Sequence, residues 1–187
     1  MSTAEGGGNI VTDGLIFYLD AANTKSYVNG STIWDDLSRG ENNGELVNGP
    51  TFDTSNGGSI VFDGVDDYVN FTSLNPITSN NPFTLSSWLN VKTHTTYGIS
   101  IYIGNASVGG SAYLGYVSIA QNGTNSSIGG GFYGVNFGSG ILPNTGWHFL
   151  SLSYDGSNAL LYVDSVVRVV RNSFTPSKMI APPLTEL

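Results

Sequence analysis

Short hydrophobic runs alternate with polar turns along the whole chain, and none carries helical periodicity. β-rich segments fall at Leu15–Leu19, Gly58–Phe62, Tyr68–Phe71, Phe83–Val91, Gly98–Ile103, Tyr113–Ala120, Gly130–Phe137, Trp147–Tyr154 and Ala159–Val170. Asx-Gly dipeptides, the strongest short turn signal, punctuate them at positions 13, 29, 43, 48, 56, 63, 122 and 155. In Phe83–Val91 the residues Phe83, Leu85, Leu89 and Val91 share one face, and Trp88 points the other way. In Trp147–Tyr154, His148, Leu150, Leu152 and Tyr154 line one face, with Ser151 and Ser153 opposite. The pattern predicts an all-β, two-sheet antiparallel sandwich over residues 9–171. A flexible arm precedes it at 1–8, and an extended tail with Pro182-Pro183 follows at 172–187.

Composition supports that reading. Of 187 residues, 40% are hydrophobic and only 11% charged, so Asn, Ser, Thr and Gly must carry solubility. The 25 glycines suit a chain of many tight turns. A net charge of -8 with six Lys and Arg in total argues against direct nucleic-acid binding. The absence of cysteine excludes disulfides and thiolate metal sites. The N-terminal stretch lacks the basic and apolar regions of a signal peptide, and no apolar run is long enough to insert into a membrane.

Several stretches form a recognisable set: 9–23, Trp34–Ser38, Asn42–Pro50, Gly58–Val69, Phe83–Trp88, Gly146–His148, Tyr154–Gly156 and Leu161–Asp164. Together they resemble the LamG-like jelly-roll domains of the concanavalin A-like lectin/glucanase superfamily. The opening is similar to versions in tailed-phage structural proteins. The resemblance implies two curved antiparallel sheets, with ligands at loop edges or on the concave face. It also implies a structural role for His148. Members usually carry Gly after the Leu-Tyr-Val-Asp strand and then two closing strands. Here Ser165 replaces that glycine, Val166–Val170 runs on as an apolar strand, and the closing strands are not recognisable. The expected consequence is an open sheet edge beside Leu15–Leu19, covered by the tail or by another subunit.

Candidate chemistry is sparse. Retaining glycosidases need two carboxylates about 5 Å apart. The laminarinase-like members place them on one strand as Glu-x-Asp-x-x-Glu, and this chain has no such strand. Its glutamates Glu5, Glu41, Glu45 and Glu186 fall in an arm, a loop and a tail, so no catalytic residue is assigned and the chain is read as a non-enzyme. Asp63, Asp66 and Asp67 put three carboxylates within five residues. They suit the backbone N–H groups of a turn first, with a calcium ion as the alternative; otherwise no cofactor is required. For sugar binding, aromatic faces stack on pyranose rings while Asn groups bond hydroxyls. Tyr97, Tyr102, Asn105, Tyr113, Tyr116, Asn122, Tyr133 and Asn136 form the best candidate surface. The run Val166, Val167, Val169 and Val170, continued by Phe174, Met179, Ile180 and Leu184, is the expected interface with a neighbouring subunit.

Two functions follow as expectations. The first is a virion structural or surface protein of capsid-decoration or fibre type, with weak glycan binding. Its partners would be other virion proteins or copies of itself. The second is a carbohydrate-binding module of an extracellular or cell-surface protein.

Overall fold

A computed structural model describes residues 10–71, 81–92, 97–105, 109–118, 126–132, 135–139 and 145–171. The chain divides into two compact units, residues 1–74 and 75–187. Among the described residues every paired strand is antiparallel, and no helix is long and apolar enough to cross a membrane. The architecture is all-β, as the alternation predicts.

The first unit is built from strands β1 (Ile33–Trp34), β2 (Gly44–Val47), β3 (Thr51–Asp53), β4 (Ser59–Val61) and β5 (Tyr68–Asn70). They form a three-stranded sheet ordered β1-β2-β5 and a β3–β4 ribbon. Leu15–Leu19 is not a strand here, contrary to the expectation. Its backbone is held by a loop instead: Tyr18 N–H donates to Asp36 Oδ1 at 2.9 Å and Leu37 N–H to Tyr18 O at 2.8 Å. The Asn42 amide donates to Ile16 O at 3.0 Å. With its backbone groups tied to these isolated partners, the segment enters no ladder. Asp36 organises the loop, accepting also from Ser38 and Asn42. Glu45, expected in a loop, lies in β2 opposite Ile33 and Asn70, and is exposed.

The second unit is a two-sheet sandwich. One sheet contains β6 (Phe83–Val91), β11 (Gly146–Tyr154), β12 (Ala159–Val163) and β13 (Val166–Arg171), in the order β13-β12-β11-β6. The other contains β7 (Tyr97–Asn105), β8 (Gly109–Ser118), β9 (Ser126–Phe132) and β10 (Val135–Gly138), in the order β10-β9-β8-β7. Their facing sides bury one core: Leu85, Leu150, Leu152, Tyr154, Ala159, Leu161 and Val163 from the first sheet meet Ile103, Ala112, Ile128 and Phe132 from the second. Phe83, Phe132 and Tyr154 close one end, with ring centroids 5.2–5.7 Å apart. Alternation along β11 is regular, and its even positions from His148 to Tyr154 are buried.

Two expected strands are each two. Gly130–Phe137 spans parts of β9 and β10, which pair with Val135 opposite Phe132. Ala159–Val170 is a β12–β13 hairpin whose turn residues, Asp164 and Ser165, take φ of 51° and 66°. Two consecutive positive φ values give the twist that a two-residue hairpin needs, so the chain reverses where Ser165 stands in place of glycine. In register, Phe83, Tyr154, Ala159 and Arg171 lie in one row across the first sheet. The start of β6 and the end of β13 therefore share an end of that sheet.

Candidate functional site

Four of the eight sugar-binding candidates fall at outer-face positions of the β7–β10 sheet. Ile103, Ala112, Ile128 and Phe132 mark its core face, so register places Tyr97, Tyr102, Tyr113 and Asn136 on the opposite one. Tyr102, Tyr113, Gly131 and Asn136 form one row. Ile99, Gly115, Gly129 and Gly138 form the next, and Tyr97, Val117 and Ser127 the one beyond. A bulge between Ile99 and Ile101 keeps Ile99 and Tyr102 on the same face, and both are exposed. The middle row lacks a side chain on three successive strands. Gly129 and Gly131 are buried, and Gly138 at the edge is half-buried. Tyr116 pairs with the fully buried Ile128 and sits on the core-facing register. Asn105 pairs with Gly109 at the end of the β7–β8 hairpin, and Asn122 and Tyr133 lie outside the described residues.

A second feature, on the outer face of the β6–β13 sheet, escaped sequence reasoning. Trp88 is 66% exposed and pairs in register with Phe149; their rings lie 5.3 Å apart at 49°. Phe149 N–H donates to Asp164 Oδ1 at 3.0 Å, and Asp164 N–H donates to Phe149 O at 2.8 Å. Trp88, Phe149, Asp164 and Ser165 line an open depression of about 410 Å³. His148 Nδ1 lies 2.9 Å from Asp164 Oδ2. That bond holds the Asp164 carboxyl below the usual carboxylate range, aided by Phe149 N–H and the charge of Arg168. An ionised carboxylate only accepts, so His148 Nδ1 carries the shared proton. The one legible signal in sequence was Trp88 breaking the alternation of its strand.

The three acidic residues come together as their spacing suggests. One carboxylate oxygen of each of Asp63, Asp66 and Asp67 lies within 4.8 Å of the others. Their described bonds are those of a turn: Asp63 Oδ1 accepts from Val65 N–H at 2.8 Å and Asp66 N–H at 3.3 Å, and Asp67 Oδ2 accepts from Asp63 N–H at 2.9 Å. Val65 N–H, before the other backbone donors, keeps the Asp63 carboxyl below its ordinary range.

Of the expected interface, β13 is an edge strand among the described residues, with Val166, Val167 and Val170 exposed, while Val169 packs partly against the core. Phe174, Met179, Ile180 and Leu184 lie outside the described residues.

Carboxylates in the sandwich unit are few. Its two described ones, Asp155 and Asp164, occupy the turns at opposite ends of β12. Five strand residues separate those turns, more than about 13 Å of extended chain.

No curated protein and no solved structure matches the chain. A laminin-G-type family model, described as concanavalin A-like lectin/glucanases superfamily, matches residues 63–182. That span is well over half of the sequence and takes in the described sandwich strands, and the chain belongs to the concanavalin A-like lectin/glucanases superfamily, with its jelly-roll sandwich fold.

Proposed function

We propose that the protein is a non-catalytic, lectin-like module that holds carbohydrate on the outer face of its β7–β10 sheet. The observation that carries this reading is the register, which gathers Tyr97, Tyr102, Tyr113 and Asn136 about a row of glycines on one face. Stacking surfaces and hydroxyl partners are what an extended glycan needs. The separation of Asp155 and Asp164 along β12 supports a binding role over hydrolysis, since no described pair in the sandwich approaches the spacing of a glycosidase. Calcium has no part in this reading, and Asp63, Asp66 and Asp67 serve their turn. Melting curves in chelator and in millimolar calcium should therefore coincide. The deciding experiment is a glycan array with the wild-type chain and Tyr102→Ala. The ring of Tyr102 is exposed, so the variant should fold normally and lose at least tenfold in affinity for the glycans held on this face. Unchanged binding would overturn the assignment.

A second reading, a structural protein of a virion built from its own copies or seated among other virion proteins, is favoured by the β13 edge. An edge strand carrying three exposed valines is a surface that proteins normally cover. The virion location itself draws on the opening segment, which precedes the family match. Native mass measurement tests this reading: a chain that stays monomeric at high concentration and does not join particles removes it.

A further inference from the structure

The Trp88 depression lies on the face of the sandwich opposite the glycine row. The two sheets pack core to core, so their outer faces point apart. Nothing in the proposed function uses Trp88, Phe149, Asp164 or Ser165, yet the four converge. Exposing two-thirds of an indole to water forgoes burial that the core could have used, a feature characteristic of binding surfaces. Phe149 meets it at 49°, so the two rings form an apolar corner rather than a flat stack. The rim beside that corner is polar, with a carboxylate and a hydroxyl on consecutive residues.

The turn that supplies this rim is strained. Ser165 holds φ of 66°, a conformation glycine adopts without cost and serine does not. Side-chain bonds hold the turn in place: Asp164 is fastened to His148 and to Phe149 N–H, and both partners lie on β11. Backbone strain held by its surroundings, beside an open depression with an exposed indole, is the arrangement that binding sites exhibit.

Charge selects the class of ligand. Each Asp164 oxygen already faces a donor, His148 Nδ1 or Phe149 N–H, and Arg168 acts on the same carboxylate. The carboxylate's charge is thus largely answered within the protein, which leaves little for a cationic ligand. Its remaining lone pairs and the Ser165 hydroxyl suit the O–H donors of a neutral ligand. A volume of about 410 Å³ accommodates one or two sugar rings. Next to the corner, register places Ser86, Ser151 and Tyr162 in one row, a polar path along which a longer glycan continues.

We propose that Trp88, Phe149, Asp164 and Ser165 form a second glycan site, stacking the apolar face of a neutral pyranose, so that one sandwich holds two glycan chains on opposite faces. The proposal rests on the lectin-like reading for its ligand class but on residues that reading does not use. Bivalence turns a binder into a bridge, because two chains held by one rigid sandwich are cross-linked without oligomerisation.

Titration calorimetry with neutral β-linked gluco- and galacto-oligosaccharides tests it, alongside aggregation of beads coated with the same sugars. The wild-type chain should bind at two sites and cross-link the beads. Trp88→Ala should leave one site and abolish cross-linking, with the melting temperature little changed because the ring is exposed. Ser165→Gly, which suits the backbone of the turn, should weaken the same site severalfold in a protein whose fold is not in question. Tyr102→Ala should remove the other site only. Two sites that persist in Trp88→Ala overturn this proposal and leave the lectin reading intact. Binding of tetramethylammonium in place of the sugars, lost in Trp88→Ala, also overturns it. Failure of the wild-type chain to bind any of the sugars removes both.

Discussion

At the scale of single residues, the turn at Asp164-Ser165 shows how one position sets local energetics. Replacing Ser165 by Gly relieves a left-handed backbone conformation costing about 1–2 kcal/mol, while glycine gives back about 0.5–1 kcal/mol of unfolded-state entropy. A gain of up to about 1.5 kcal/mol is expected, read as a rise in denaturant midpoint with unchanged slope. Carboxylates give a second prediction. Asp164 is held low by His148 and Asp155 by the Asn158 side chain, with backbone N–H groups adding to each. Burial pushes Asp36 up, but the donors Ser38, Tyr18 and Asn42 together outweigh it and leave it low. A depressed carboxyl stabilises the fold above the unfolded pKa, about 4, and loses that contribution as pH falls through the folded value. Thermal scans should therefore be level from neutrality down to about pH 5 and fall steeply below about pH 4. Asp164→Asn should flatten part of that fall.

At the scale of elements, the sandwich rests on strict alternation in its central strands. Leu152 is wholly buried in β11 and Ser151 is on the other face, so Leu152→Ala should cost about 2–5 kcal/mol and Ser151→Ala less than about 0.5 kcal/mol in chemical unfolding. Strands of this kind were legible in the sequence. β6 begins and ends where the hydrophobic pattern does, because nine residues of near-regular alternation leave no second solution. Ala159–Val170 read as one run because Asp164-Ser165 carries no glycine to mark the reversal. Strands β1 to β3 are too short, at two to four residues, to carry a period at all. Leu15–Leu19 has the composition of a strand but bonds to a loop, a tertiary choice that local pattern does not encode. The tyrosines of the candidate site could be named in sequence, but the bulge near Ile99 and the exclusion of Tyr116 depend on register. The pairing of Trp88 with Phe149 is likewise a long-range event.

At the scale of the molecule, charge is unevenly divided. Residues 1–74 hold eleven of the fourteen acidic side chains and two of the six basic ones, while the sandwich unit is close to neutral. A neutral sugar held by a near-neutral unit has no long-range electrostatic contribution to lose. Affinity for it should change by less than about twofold between low salt and about 0.5 M salt, whereas binding steered by charge would fall steeply.

The row that joins Phe83, Tyr154, Ala159 and Arg171 has a mechanical consequence. Tension between the start of β6 and the end of β13 acts across the strands, from one edge of the sheet to the other, rather than along them. Under that load the ladder bonds open one after another, like a zipper, instead of sharing the force as they would in shear. A molecule tethered through these two points should yield at low force and close again readily. Trp88 and the Asp164-Ser165 turn are displaced along the strands from the loaded row, so a ligand there would be among the last contacts that peeling from that end disturbs.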